Sequence, residues 1–188
     1  MKTSKIKSAA IEETKQSSTS SLRKRARQHI EAGAVTSSYA ADRKPLINIL
    51  NDALATELVC MLRYTRHYFM AKGIHAESVK AEFLAHANEE LAHAHRIAKR
   101  IVVLGGEPNF SPDGLSARSH AEYVEGDTLN SMIKENLIAE RIAIDSYRET
   151  ITRLGDTDST TRRMLEEILA SEEEHADELA GLLGGIET

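Results

Sequence analysis

Four glutamates interrupt four otherwise apolar helix faces, and this pattern constrains the fold more than any other feature of the chain. Glu57, Glu90 with His93, Glu140, and Glu172 with His175 read in order as Glu, Glu-x-x-His, Glu, Glu-x-x-His. At about 100° per residue, Glu57 shares its face with Leu50, Leu54 and Tyr64, and Glu90 with Phe83, Ala87 and Ile97. Glu140 likewise falls among Ile133, Leu137, Ile144 and Tyr147, and Glu172 among Leu165, Leu169 and Leu179. A lone carboxylate in such surroundings is strongly destabilising unless something neutralises it. Four carboxylates bring a formal charge of −4, which two divalent cations would cancel. The pattern therefore predicts a dinuclear metal site in the middle of an all-α four-helix bundle.

The rest of the chain supports that architecture. Helix-forming residues dominate and proline occurs three times in 188 residues. A first helix is expected from near Pro45 to about Ala71, where Gly73 breaks it. A second runs from about Ala76 to Leu104 and stops at Gly105-Gly106. A third starts after Asp127, read as its N-cap, and ends near Leu154 before Gly155. A fourth begins at Asp158 or Ser159 and reaches about Leu183. The connections are short, long, short. The long one, with Pro108, Pro112 and Gly114, can stretch roughly 70 Å at about 3.3 Å per residue, more than the roughly 42 Å of a 28-residue helix. That allows one crossover along the whole bundle, between the second helix and the third.

Depth agrees with face. Glu57 and Glu90 lie 16 and 17 residues from the turn at Gly73, and Glu140 and Glu172 each lie 16 from the turn at Asp156. The two halves thus repeat each other. The i, i+3 spacing of each Glu-x-x-His puts an oxygen and a nitrogen donor on one helix face. The set matches the pattern of carboxylate-bridged di-metal bundles. Glu57 with His93 would serve one metal and Glu140 with His175 the other, with Glu90 and Glu172 between them. Oxygen-rich ligation with one imidazole per ion suits iron or manganese; zinc fits the donor types but prefers four ligands. Tyr64, seven residues after Glu57, is either a partner beside the metals or a core residue. His86 sits at the edge of its face, a candidate for transient iron binding. His67, His75, His95 and His120 are expected at the surface, and Glu89, Glu173 and Glu174 in solvent.

Composition narrows the function classes. The net charge of −5 is uneven: residues 1–43 carry nine Lys/Arg against four Asp/Glu, and the remainder 15 against 25. Residues 1–43 are read as a basic, solvated tail, with a short helix over about 21–32 as the alternative, and residues 44–188 as the bundle domain. Cys60 is the sole cysteine, so there is no intrachain disulfide and no Cys-x-x-Cys iron site; a small buried hydrophobe is the expected role. No run of about 20 apolar residues suggests a membrane span, and no apolar segment near the N-terminus suggests a secretory signal, so a cytoplasmic protein is expected.

Over residues 44–183 the chain resembles the bacterioferritins. The resemblance rests on T-E-L-V at 56–59, E-E-L-A-H at 89–93, R-I-V-V-L-G-G-E-P-N at 100–109, A-E-R at 139–141 and E-E-E-H at 172–175. It implies an intrasubunit ferroxidase centre of two irons on Glu57, Glu90, His93, Glu140, Glu172 and His175, with Tyr64 beside it. It further implies oxidation of Fe(II) by O2 or H2O2 and storage of ferric mineral in a homo-oligomeric cage. Three departures qualify it. Leu91 stands where bacterioferritins carry the methionine that ligates haem, so no haem is expected. Thirteen residues follow His175, too few for the short fifth helix of 24-subunit ferritins, and a basic tail precedes the bundle. Both features are similar to Dps-type miniferritins, so a 12-subunit cage is expected over a 24-subunit one, with non-specific DNA contact through the tail as a further expectation. The same ligand set would also serve a di-metal enzyme without storage, such as a manganese catalase or an oxygenase.

Overall fold

The structure is a computed structural model that describes residues 17–186. All regular structure among the described residues is helical. The chain divides into two compact units at Ser37–Ser38. Of the tail expected over residues 1–43, residues 1–16 lie outside the described residues. In the described part of the first unit, α1 spans Thr19–Arg25, with the Ser18 hydroxyl accepting from the Ser21 N–H at 3.3 Å. The chain then turns left-handed at His29 (φ 51°) before a single 3-10 turn over Ile30–Ala32. That reversal divides the stretch read from sequence as one short helix.

The second unit holds the bundle: α2 (Arg43–Met70), α3 (Ala76–Val103), a one-turn α4 (Leu115–Arg118), α5 (Leu129–Leu154) and α6 (Ser159–Ile186). α2 pairs with α3 and α5 with α6, each pair joined by a short turn. The core is drawn from all four long helices, with Phe83, Val79, Tyr64, Ile133, Met132 and Leu179 in one cluster. Each large side chain buried there contributes about 2 kcal/mol. By length and composition α2 could cross a membrane, but half of its most apolar stretch is buried inside the bundle, where it carries Glu57 and Arg63.

Local chemistry sets the helix ends. α3 stops in a Schellman motif: Gly105 takes φ 81°, its N–H bonds to the Val102 carbonyl, and the Gly106 N–H reaches back to Ile101. A side chain at Gly106 would collide with Ile47, 2.8 Å from the Cβ position. The cap of α5 is Thr128 rather than the expected Asp127. Thr128 and Ser131 form a reciprocal capping box, Ser131 N–H to Thr128 Oγ1 at 3.1 Å and Thr128 N–H to Ser131 Oγ at 2.8 Å. Asp158 stands just before α6 and accepts from the Thr161 N–H, from the Tyr39 hydroxyl at 2.6 Å and from Arg100 through both oxygens at 2.9 and 2.8 Å.

The long connection between α3 and α5 runs along α2. Asn51 bonds to the backbone of Glu107 and Asn109, and Thr56 accepts from the His120 N–H. Further along, Arg63 donates to the Glu122 carbonyl at 2.8 Å, and Arg66 to the carbonyl and carboxylate of Glu125. From Asn51 to Arg66 is 15 residues, about 22 Å of helix, so the crossover travels most of the bundle.

Candidate metal centre

Each long helix presents its carboxylate at the same level of the interior. Glu57, Glu90, Glu140 and Glu172 are between 0 and 1% exposed, and His93 and His175 are also buried. The donor atoms fall into two overlapping groups. Glu57, Glu90, His93 and Glu172 each offer one atom within 4.8 Å of the others, and so do Glu90, Glu140, Glu172 and His175. Glu90 and Glu172 belong to both. Glu172 Oε1 lies 3.0 Å from His93 Nδ1 while its Oε2 lies 3.5 Å from His175 Nδ1. Glu90 divides its oxygens the same way, Oε2 to His93 at 3.9 Å and Oε1 to His175 at 3.8 Å. One oxygen toward each histidine is the arrangement a bridging carboxylate needs. Glu57 Oε2 sits 3.2 Å from His93 and Glu140 Oε2 3.9 Å from His175.

The hydrogen-bond accounting of this cluster does not close. Glu57 Oε2, Glu90 Oε1, Glu140 Oε2, both oxygens of Glu172, and Nδ1 of His93 and of His175 are buried without a hydrogen-bond partner. Buried polar atoms are almost always paired, and seven orphans from six converging residues are a donor set lacking its acceptor of lone pairs. The residues fit a pair of divalent cations on that ground.

Electrostatics point the same way. Burial and the neighbouring Glu172, Glu57 and Glu140 charges hold the Glu90 carboxyl well above the usual range; burial and Glu172 do the same to Glu140. Glu172 is the exception: burial pushes it up, but His175 and His93 outweigh burial and hold it down. Burial would lower His93, yet Glu172 and Glu57 raise it to about 10. His175 moves up for the same reason, drawn by Glu172 and Glu89 against burial. Cations would replace the shared protons.

Partners around the donors complete the geometry. The Tyr64 hydroxyl donates to Glu140 Oε1, and the Tyr147 hydroxyl to Glu57 Oε1. Burial first, then the adjacent glutamates, push both phenols well above their usual pKa, so both stay protonated donors. The sequence places Tyr147 on the apolar face around Glu140, and the spacing that marks it is there to read: it follows Glu140 by seven residues, as Tyr64 follows Glu57. Each tyrosine crosses to the other half of the pseudo-repeat. His175 Nε2 lies 2.7 Å from Glu89, which therefore does more than face solvent: it fixes the tautomer that turns Nδ1 inward. His86, at 2% exposure, stacks on His175 with ring centroids 4.1 Å apart.

His67 departs from the expected surface position. It is fully buried, with Nδ1 3.2 Å from Asn136 and Nε2 within 3.2 Å of the Val124 and Glu125 carbonyls of the crossover. His75, His95 and His120 are exposed as expected. Cys60 is buried 3.7 Å from Arg63, and burial pushes its thiol up, consistent with an inert packing role.

Comparison with known proteins agrees with this geometry. Residues 47–188 match the ferritin-like domain model, and the chain belongs to the ferritin-like family. It is 30% identical to the bacterioferritin of Mycobacterium bovis over 135 residues, 71% of this chain and 80% of that protein. It is also 30% identical over 137 residues to a nutrient stress-induced DNA-binding protein of a Synechococcus species, covering 71% of this chain and 78% of that one. Among solved structures, the dodecameric thioferritin of Bacteroides fragilis, a bacterioferritin-related protein, superposes with a TM-score of 0.75 at 34% identity, over 78% of this chain and 89% of that one. Iron storage is the family's business, and the buried carboxylate–histidine cluster is a candidate site for metal.

Proposed function

We propose that the protein is a ferroxidase that oxidises Fe(II) at the dinuclear centre and stores ferric mineral in a homo-oligomeric cage. The observation that carries this reading is the set of seven orphaned donor atoms on Glu57, Glu90, His93, Glu140, Glu172 and His175. On this reading Fe(II) is the substrate. Glu57 and His93 hold one ion, Glu140 and His175 the other, and Glu90 and Glu172 span the pair. Two ions give up one electron each, so the pair reduces O2 to H2O2, or H2O2 to two waters, with two protons taken up either way. Tyr64 and Tyr147 hold the outer oxygens of Glu140 and Glu57 in place, so that the ligands hardly reorganise as the ions change charge. Iron suits the donor set, and manganese is the second candidate. A shell of twelve copies is favoured by the likeness to the dodecameric thioferritin.

Anaerobic Fe(II) titration followed by oxidant tests it. Two irons per subunit should oxidise first, and many more should follow as mineral. Loading that stopped at two would leave a di-metal enzyme without storage.

A second reading, contact with DNA, is favoured by one feature: Arg23, Lys24, Arg25 and Arg27 cluster on and just after α1. The DNA-binding relative supports it. Such a contact would be blind to sequence and weakened by salt. Replacing those four residues with glutamine should abolish retardation of DNA in a low-salt gel. An intact protein that never retards DNA would remove this role.

A further inference from the structure

The dinuclear centre is buried, and its ligands share protons that arriving cations would displace. A bare proton does not cross an apolar interior, so each displaced one needs a chain of hydrogen bonds to follow. His175 has a short chain, from Nε2 to the exposed Glu89 at 2.7 Å. Glu140 has a longer one. Its Oε1 meets the Tyr64 hydroxyl, the hydroxyl lies 3.2 Å from His86 Nδ1, and His86 Nε2 lies 2.8 Å from Glu178 Oε2. Tyr64 and His86 are buried, whereas Glu178 is exposed and lines a surface cleft with Glu82 and His75. Two side chains thus join the interior to water.

Packing holds both rings in place. His86 stacks on His175 with centroids 4.1 Å apart and stands at 88° to the Tyr64 ring. One of its nitrogens stays turned to Tyr64 and the other to Glu178. The chain can be polarised either way. With Glu140 as the acid, Glu140 donates to Tyr64, Tyr64 to Nδ1, and the Nε2–H to Glu178. With Glu140 as a carboxylate, Tyr64 donates to Glu140, the Nδ1–H to Tyr64, and a protonated Glu178 to Nε2. Tyr64 and His86 are neutral and fully paired in both.

We propose that Tyr64 and His86 form a proton relay that carries the Glu140 proton out to Glu178 when the centre takes up cations. The relay rests on the dinuclear reading above. In one pass Tyr64 gains a proton from Glu140 and gives its own to Nδ1, while His86 gives its Nε2 proton to Glu178. One O–H bond is lost at Glu140, one is gained at Glu178, and neither relay residue changes charge. Glu178 then passes the proton to water in the cleft. The pseudo-repeat makes the relay one-sided. The position equivalent to His86, four residues before Glu172, is the buried Ile168, so no imidazole extends the pair of Glu57 and Tyr147.

Anaerobic stopped-flow mixing of the intact assembly with Co(II) tests the relay. A pH indicator in weak buffer reads proton release, and visible absorption reads the bound ion. His86→Gln is the informative variant, because an amide can keep both hydrogen bonds but does not hand a proton through. It should bind the same two ions per subunit at equilibrium, yet release protons about ten-fold more slowly. That slow release should be slower still in D2O. A delay indifferent to D2O would be slow entry of the ion and would overturn the relay. Equal release rates in the two proteins, with two ions bound in each, would overturn the relay and leave the dinuclear reading standing. Slow release in Glu89→Gln but not in His86→Gln would route the protons through His175 and also overturn it. A wild type that bound fewer than two ions would overturn the dinuclear reading and the relay with it.

Discussion

Two buried polar layers lie side by side in this bundle, and they are built on opposite principles. Around Arg63, nearly every polar atom is satisfied by protein. Arg63 donates through Nε to Asn136 at 2.9 Å and through its guanidinium to the Glu122 carbonyl, while His67 bonds to Asn136 and to crossover carbonyls; Asn136 Nδ2 alone lacks a partner. One or two turns away, the six candidate ligands leave seven atoms unpaired. The first layer fastens the crossover to α2 and is structural. The second is incomplete as protein, and its incompleteness is what makes it a candidate for chemistry. Burial of charge alone therefore does not mark a functional site; unsatisfied donors that converge do.

Glu90→Gln probes that contrast with the largest effect. The amide keeps the shape, removes a charge and blocks one side of the proposed bridge. Fe(II) oxidation should fall by at least about 100-fold, a barrier increase of about 2.7 kcal/mol. Without added metal the same variant should be more stable by about 1–3 kcal/mol, because burial and three neighbouring carboxylates disfavour the Glu90 charge. Denaturant unfolding reads the second effect. A less stable metal-free variant would place Glu90 among the satisfied groups and break the comparison.

Arg63→Leu should do the reverse. It strands Asn136 and the Glu122 carbonyl and frees the crossover, at a cost of about 3–5 kcal/mol. The folded fraction should still bind the dinuclear pair, measured by metal content after gel filtration. Loss of metal without loss of stability would mean that the two layers are one.

The satisfied layer also carries a pH signature. Burial first, then the Arg63 charge, lowers His67 to about 4 from an ordinary 6.5. The unfolded chain therefore takes up a proton that the fold resists between those values. The stability held by neutral His67 is complete above pH 6.5 and lost as pH falls toward 4, about 2 kcal/mol once solvent screening is discounted. Comparing urea midpoints at pH 7 and pH 4.5, the loss should be smaller by that amount in His67→Gln. An identical pH dependence in the two proteins would remove His67 from the network.

The two layers were unequally legible in the sequence. The four carboxylates stand out because each breaks an apolar stripe of a long helix, and their equal distances from the turns disclose the shared depth. The helix bounds were legible for the same reason, down to the glycines after α3. His67 was not, because its partners are carbonyls of residues 124 and 125, which no local pattern pairs with α2. Glu89 reads as a surface residue until α6 is docked and His175 arrives beside it. Thr128 displaced Asp127 as a cap because Ser131, one turn on, completes a reciprocal pair that a carboxylate one residue earlier cannot.

The smallest effect separates the two tyrosines, and it tests how far the pseudo-repeat extends. Tyr64 and Tyr147 hold equivalent oxygens on Glu140 and Glu57, so either change to Phe removes one hydrogen bond to a candidate ligand. Each should weaken dinuclear binding by about 1 kcal/mol, roughly five-fold in affinity. Only Tyr64 also bonds to His86, whose Nδ1 lies 3.2 Å from its hydroxyl. The position equivalent to His86, four residues before Glu172, is Ile168, which has no polar group to lose. Tyr64→Phe strands the buried His86 nitrogen as well as Glu140, so it should cost about 1 kcal/mol more stability than Tyr147→Phe, read from urea midpoints. Equal losses in the two variants would show the halves to be symmetric where the His86–Ile168 difference says they are not.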